Sequence, residues 1–577
     1  MASQDKDLEK IRNARKEWEE NTLRKNAERL GLKETPVEYY TPLDIEEHDF
    51  LENVGFPGEY PFTAGRFAIP VLNAMWGRGK TLGAGKAVRH AFGYSGYGTP
   101  EDMRDFYIER GKTPVRGGGP NIAFDLPTQI GYDSDHELAE GEVGRVGVAI
   151  DTLKDFEIIY EAFTGDMDID RIASNWTINA TANIIIAMYI ALAEKRGIPL
   201  EKLKGTPQND ILKEFVARGT QIFPVKHSMR MIRDTITFCT ERLPAMNTIS
   251  ICGYHIREAG STRVQAVAFA FANAIAYFQT VIDAGLDIDQ FVGRTTFLNF
   301  GGGMEVLKEA ACRRAARRVW AKIMRDRFGS KKPSHWIYRE LGGGLAGYWT
   351  CTKKRPLNNL VRVAIGAVFA AMIGEPPALE PPFDEPLGLG HSIEARQLAA
   401  DAARIIFEEC RLADVQDALA GSYYVEHLTN AYEKEIFDLI EKIDEMGGAV
   451  KAVESGWMKN EIIRSSVEFQ RKLETGEQVW VGVNKYTEED EIEVMPPRTS
   501  PYRRDRIEDA EKRQIENLRK VKAERDAEKV QAALEKIENA ARDEKANLIP
   551  FFVEAVREYA TIGEICDVLR SVFGEAK

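Results

Sequence analysis

Between about residues 90 and 410, short apolar runs alternate with longer stretches whose apolar positions recur every three or four residues, which is the pattern of parallel β/α units. Strand ends are predicted at Ile122–Asp125, Trp176–Ile178, Ile249–Ile251 and Thr296–Leu298, and following helices at Ala180–Lys195, Ile211–Ala217 and Glu305–Arg327. Roughly eight such units fit this length, so the expected architecture is α/β, a (β/α)8 TIM barrel with its active site at the strands' C-terminal ends. The pattern changes at both ends. Residues 5 to 32 read as one charged helix, and Pro36 to about Ile69 is rich in Pro, Gly and aromatics, as an extended arm is. Residues 500 to 545 read as one or two amphipathic helices rich in Glu, Lys, Arg and Ala. The expected division is an arm over 1–90, a barrel over 91–412 and a helical region over 413–577.

Composition narrows the partners. With 77 basic against 90 acidic residues the net charge of −13 disfavours nonspecific attraction to nucleic acid or an anionic membrane, while leaving room for a local basic pocket for phosphates. The start, MASQDKDLEKIRNARKEWEE, lacks the apolar core of a secretory signal. The longest apolar stretch is taken as Ile184–Leu192, too short for a bilayer. Six cysteines stand singly at 239, 252, 312, 351, 410 and 566, which fits a reduced, cytoplasmic protein.

Three motifs end predicted strands: FDLPT with GYDSDH (124 to 136), GTPQNDILKEF (205 to 215) and SICGYHIREAG (250 to 260). Taken singly each has a plain structural explanation. His255 suits a hydrogen-bonded core position, Asp133, Ser134 and Asp135 suit turns and caps, and Gln208, Asn209 and Asp210 would cap the helix from Ile211, with Arg218 on its solvated side. Gly79-Lys80-Thr81 lacks the first glycine of a phosphate loop, since Ala74 stands there. Gly117–Gly119 and Gly301–Gly303 read as tight turns or close backbone approaches.

Taken together and in order, YSGYGTPED, AFDLPTQIGYDSDHELAEGEVGRVGVAIDT, KGTPQNDILKEFVARGTQIFP, SICGYHIREAGST, GSYYVEHLT, GVNKY and AERDAEKVQAALEKI resemble the methylmalonyl-CoA mutase family over nearly the whole chain from Gly55. The resemblance implies a barrel that binds an acyl-CoA along its axis and a separate domain that presents adenosylcobalamin. The family's cobalt-ligating histidine sits in an Asp-x-His-x-x-Gly motif, and none of the eight histidines here has Asp two residues before it. The expectation is therefore the large subunit of a split mutase, without the cobalamin domain, working with a small cobalamin-binding subunit in a hetero-oligomer such as a heterotetramer.

The same resemblance assigns roles. His255, with Tyr254 beside it, takes the place of the histidine that hydrogen-bonds the thioester carbonyl, and Gln208 that of a glutamine near the same carbonyl or the substrate carboxylate. Thr206 joins these as a substrate-binding candidate, and Tyr94 matches the tyrosine wedged between substrate and corrin. Arg218 matches the arginine that pairs with a free carboxylate, a task suited to a rigid, permanently charged fork. Glu385 matches a glutamate near the adenosyl ribose. Relatives acting on isobutyryl-CoA or 2-hydroxyisobutyryl-CoA typically lack that arginine, so Arg218 favours a dicarboxylic acyl-CoA.

The chain departs from the family pattern at Gly343 and Leu345, where a histidine and a glutamine are expected, at Pro381 for an asparagine, and at Phe92-Gly93 for Arg-Gln. Smaller or drier side chains there imply a bulkier substrate, such as a substituted succinyl-CoA or ethylmalonyl-CoA. The competing readings are a mutase for a monocarboxylic branched acyl-CoA, with Arg218 on a CoA phosphate, and a catalytically silent scaffold paralogue.

Overall fold

The computed structural model describes residues 2–30, 39–68, 95–110, 118–298, 301–341, 348–375, 383–384, 393–488 and 509–576. Its six strands all pair in parallel, as the β/α alternation predicts. β1 (Gly118–Ala123), β2 (Ala173–Thr177) and β3 (Gly205–Pro207) form one sheet in that order, and β4 (Ile249–Cys252), β5 (Thr295–Leu298) and β6 (Glu340–Leu341) a second. Main-chain bonds from Asn247 N–H to Gly205 (2.9 Å) and from Ser250 N–H to Gln208 (3.0 Å) join the two sheets in one direction. On the other side of β1, Ser95 bridges to Ile122 and Val148 to Phe124, both in parallel. Closure of this arc into a ring is not among the pairings of the described residues.

Each crossover carries a helix: Leu153–Tyr160 between β1 and β2, Ala182–Lys195 between β2 and β3, Val225–Arg242 between β3 and β4, Arg263–Asp283 between β4 and β5, and Val306–Lys322 between β5 and β6. The apolar core is continuous from Tyr97 to Phe573. Ile184, Ile185, Ile186, Ile190 and Leu192 are all buried in it. At about 1.5–3 kcal/mol for each large apolar side chain, such burial is the main force holding helix to sheet. One helix among the described residues, Arg263–Asp283, is long and apolar enough to cross a membrane, and 72% of its apolar window is buried inside the protein. It exceeds the Ile184–Leu192 run, and Gln265 and Asn273 hide it from a count of consecutive apolar residues.

The close-approach reading of the glycines holds at Gly119, where an added Cβ would lie 2.2 Å from the Ala173 carbonyl oxygen. Gly117 and Gly79 to Thr81 lie outside the described residues.

The ends of the chain fold back on this core. The helix Val306–Lys322 carries the run Arg313, Arg314, Arg317 and Arg318, all buried. Arg314 meets Asp417 (2.9 Å) and Glu426 (2.7 Å), Arg317 meets Glu375 (2.5 Å) and the Thr63 carbonyl, and Arg318 meets Glu433 (2.8 Å) and the Asn53 carbonyl. The described part of the arm is thus packed within the chain. The expected C-terminal helices are Ala510–Glu524 and Ala527–Arg542, followed by Ile549–Arg557 and Ile562–Phe573.

These helices dock through Asp133 and Asp151. Asp133 accepts hydrogen bonds from the Thr561 hydroxyl and the Gly563 N–H, both at 2.8 Å, and lies 3.0 Å from Lys522. Gln514 donates to Asp151 (2.7 Å) and Asp155 (3.1 Å). Asp133 opens the expected turn, its carbonyl accepting the His136 N–H at 3.0 Å, and its side chain is in addition a docking residue.

Candidate active site

Because the strands are parallel, the loops after β2, β3 and β4 open on one edge, where α/β folds of this kind place ligands. Gln208 follows β3, and its backbone N–H continues the ladder to the Trp176 carbonyl (2.9 Å). Asn209 then turns the chain in a left-handed conformation (φ 47°), buried, with no partner for its Nδ2 among the described residues. Asp210 makes no side-chain cap for the helix beginning at Ile211. Its carboxylate instead accepts from the Cys252 N–H (2.7 Å) and the Tyr277 hydroxyl (2.6 Å), tying this loop to β4 and to Arg263–Asp283. Burial pushes the Asp210 carboxyl up, opposed by the charge of Lys213.

The single α-turn Ile211–Lys213 widens into a π-turn, Glu214–Arg218, closed by Gly219 at φ 86°. Such wide turns recur at functional sites because they re-aim side chains. Lys213 is fully buried inside this bend. Its ammonium lies 2.6 Å from Glu214 Oε1, 3.0 Å from Gln208 Oε1 and 3.3 Å from Asn179 Oδ1. Glu214 also accepts from the Thr220 hydroxyl. Burial alone would raise its carboxyl, but Lys213 and Arg218, with the hydrogen bonds, hold it below the ordinary range.

Arg218 does not lie on a solvated face. Its side chain is 24% exposed and 3.9 Å from Glu214 Oε1, and its buried Nη1 has no hydrogen-bond partner among the described residues. His255 is the second residue of the short helix Tyr254–Glu258 after β4, half-buried, with the Tyr254 ring edge-on at 5.6 Å. Its buried Nδ1 likewise has no partner among the described residues, so the expectation of a satisfied core histidine fails. Burial, then the charges of Lys213 and Arg218, hold its imidazole well below the usual histidine range. His255 is therefore neutral at pH 7.

Four candidates converge here: Gln208, Arg218, His255 and Tyr254. Thr206 is also close, buried on β3, where its hydroxyl accepts from Asn247 Nδ2 (2.9 Å). Tyr94 and Glu385, and the departures at Phe92-Gly93, Gly343, Leu345 and Pro381, lie outside the described residues. Lys213, Glu214 and Asn179 were missed as contributors. Lys213 and Glu214 stood in KGTPQNDILKEF in plain view, but adjacent opposite charges on a helix read as a solvated pair. The chemistry assembled is a neutral imidazole, an amide and a guanidinium without hydrogen-bond partners at Nη1 among the described residues, set beside carboxylates whose charge is paired with Lys213 or held by hydrogen bonds. This suits a ligand rich in acceptors: a carbonyl and an anionic group.

Comparison with known proteins supplies the family. The methylmalonyl-CoA mutase profile matches residues 32–575. The chain is 38% identical over 579 residues to the 2-hydroxyisobutanoyl-CoA mutase large subunit of Aquincola tertiaricarbonis, covering 98% of this chain and 97% of that one. It is 37% identical over 560 residues to the methylmalonyl-CoA mutase of Escherichia coli K12, covering 96% of this chain and 72% of the relative. Against the human mitochondrial methylmalonyl-CoA mutase the identity is 36% over 528 residues, 90% of this chain and 66% of the human protein. The profile spans the fold and the site together, and the chain belongs to the methylmalonyl-CoA mutase family as one of its isomerases.

Proposed function

We propose that this chain is the large, substrate-binding subunit of an adenosylcobalamin-dependent acyl-CoA mutase whose substrate carries a free carboxylate: methylmalonyl-CoA or a bulkier substituted malonyl- or succinyl-CoA. The observation that carries the reading is the pair of buried nitrogens without hydrogen-bond partners among the described residues, Arg218 Nη1 and His255 Nδ1, at the C-terminal edge of the strands. Leaving such groups unpaired costs about 1–3 kcal/mol each, a cost recovered when a ligand supplies the acceptors.

In this reading Arg218 clamps the carboxylate and fixes the orientation of the acyl group. Neutral His255 and the Gln208 amide donate to the thioester carbonyl, polarising it without giving up a proton. Adenosylcobalamin, when bound, supplies the radical that removes a substrate hydrogen before the acyl-CoA group migrates. The residues that the family resemblance assigns to it, Tyr94 and Glu385, lie outside the described part, and the residues within it act on the thioester. Closure of the parallel arc into a (β/α)8 barrel over 91–412 belongs to the same proposal, as does a cytoplasmic setting.

The partner follows from the relative that this chain matches over 97% of its length, which is named a large subunit. We take the cobalamin to be presented by a small subunit in a heteromer. That relative also motivates a second reading, in which the substrate is a monocarboxylic branched thioester of the 2-hydroxyisobutanoyl type and Arg218 serves another anion. An anaerobic assay with and without the small subunit and adenosylcobalamin tests the proposal. The thioesters would be methylmalonyl-, ethylmalonyl-, substituted succinyl-, isobutyryl- and 2-hydroxyisobutanoyl-CoA. Isomerisation of a dicarboxylic thioester only in the complete mixture is expected; turnover confined to the monocarboxylic ones would establish the second reading. A complex that binds cobalamin but isomerises nothing would contradict both and point to a silent paralogue.

A further inference from the structure

Lys213 is a fully buried ammonium beneath the candidate site, and polarisation of the thioester by His255 and Gln208 leaves it without a task. It donates hydrogen bonds to Gln208 Oε1 (3.0 Å) and Asn179 Oδ1 (3.3 Å), and its charge pairs with Glu214 Oε1 at 2.6 Å outside hydrogen-bond geometry. An ammonium donates and never accepts, so each amide must turn its oxygen toward it. Asn179 is fixed a second time, because its Oδ1 also accepts the Asp210 N–H at 3.0 Å. Its Nδ2 must then point away from Lys213, and it donates to Gln208 Oε1 at 3.1 Å. Two donors thus hold the Gln208 oxygen inward, and its Nε2 takes no partner among the described residues.

We propose that Lys213 is a positioning residue of the thioester site: its ammonium locks the Gln208 amide with the oxygen inward and the NH2 presented to the acyl-CoA carbonyl. The role rests on the acyl-CoA reading of the site. Without the ammonium only the Asn179 Nδ2 bond still holds the oxygen inward, so the amide turned by 180°, whose oxygen would face and repel the carbonyl, gains population. The charge of Lys213 also acts on His255, favouring its neutral form, so one buried cation bears on both groups assigned to the carbonyl.

The test is equilibrium binding of methylmalonyl-CoA and of its thioether analogue 2-carboxypropyl-CoA, which lacks the carbonyl, to the full chain by calorimetry. Wild type should prefer the thioester by about tenfold, the worth of one hydrogen bond to a carbonyl. Because Lys213→Met alone would strand the buried Glu214 carboxylate, the variant of choice is the double change Lys213→Met with Glu214→Gln. It should lose that preference while binding the thioether within about twofold of wild type. Gln208→Glu gives an independent check, since a carboxylate faces the ammonium comfortably yet has no NH2. It should melt no lower than wild type and also lose the preference. Preference retained in either folded variant overturns the positioning role while leaving the acyl-CoA reading intact. A wild-type chain that binds neither probe overturns the acyl-CoA reading and this role with it.

Discussion

Arg218 holds its guanidinium 3.9 Å from Glu214 Oε1, beyond hydrogen-bonding distance, while Lys213 sits 2.6 Å from that same oxygen. The nearer cation balances the charge of the carboxylate, and the farther one keeps its charge available. A guanidinium so placed is poised for a ligand anion and contributes little to holding the fold.

Arg218→Ala should therefore lower kcat/KM for a dicarboxylic thioester by about 100-fold, the value of a charge-assisted contact, while costing ~1 kcal/mol or less of stability. Arg218→Lys should recover only part of the activity, because a point charge lacks the planar fork. Steady-state kinetics and denaturant unfolding of the same preparations separate the two effects.

His255 should remain neutral at pH 6. Its folded value lies well below the usual one through burial and the charges of Lys213 and Arg218. In the unfolded chain it titrates near about 6.5, so below that pH protons bind the unfolded state preferentially. The stability that comes with the neutral form is complete above about pH 6.5 and is lost as pH falls toward the folded value. Melting temperatures of wild type should consequently drop more between pH 7 and 5.5 than those of His255→Gln. Imidazole signals from histidine-labelled protein, assigned with that variant, check the protonation state directly.

The buried carboxyls at Asp125 and Asp155 work in the opposite direction. Burial raises Asp125 to about 7 and Asp155 to about 6. In the folded chain they keep protons that the unfolded chain releases near pH ~4, so their contribution to stability declines as pH rises from about 4 through those values. Asp155 also receives Gln514 from the C-terminal helices. Gln514→Ala, which removes the bonds to both Asp151 and Asp155, should cost about 2 kcal/mol and expose the junction near residue 510 to limited proteolysis. In Asp125→Asn the stability curve between pH 5 and 7 should be flatter than in wild type.

Arg314 anchors the C-terminal half through Asp417 and Glu426, with all three side chains buried. Arg314→Ala strands two carboxylates and should cost about 3–5 kcal/mol. Neutralising the partners as well, with Arg314→Met, Asp417→Asn and Glu426→Gln together, should recover most of that loss. Thermal unfolding of the single and triple variants measures the difference.

The long apolar runs carried most of the fold. Ile249–Ile251 and Thr296–Leu298 fall within β4 and β5, where side chains on both faces are buried apart from the half-buried Leu298, so mostly apolar or small residues stand there. β3 is only Gly-Thr-Pro and β6 only Glu-Leu, and neither has an apolar pattern of its own; pairing to neighbouring strands creates them. The four arginines of Val306–Lys322 escape any periodicity argument, since their acidic partners, from Glu340 for Arg313 to Glu433 for Arg318, stand 27 to 115 residues away in sequence. At the site, the family motifs pointed to Gln208, Arg218 and His255, which the fold brings onto one edge. Lys213 was hidden because its burial depends on a π-turn that local sequence does not announce.

The carboxylate clamp at Arg218 is tested most directly by a competition. Equimolar methylmalonyl-CoA and isobutyryl-CoA, which differ by one carboxylate, would be offered anaerobically to the complex with its small subunit and adenosylcobalamin, in wild-type and Arg218→Ala forms. Wild type should isomerise the dicarboxylic thioester preferentially, and Arg218→Ala should erase the preference by depressing that reaction alone. Preferential turnover of isobutyryl-CoA, unchanged in Arg218→Ala, would contradict the clamp.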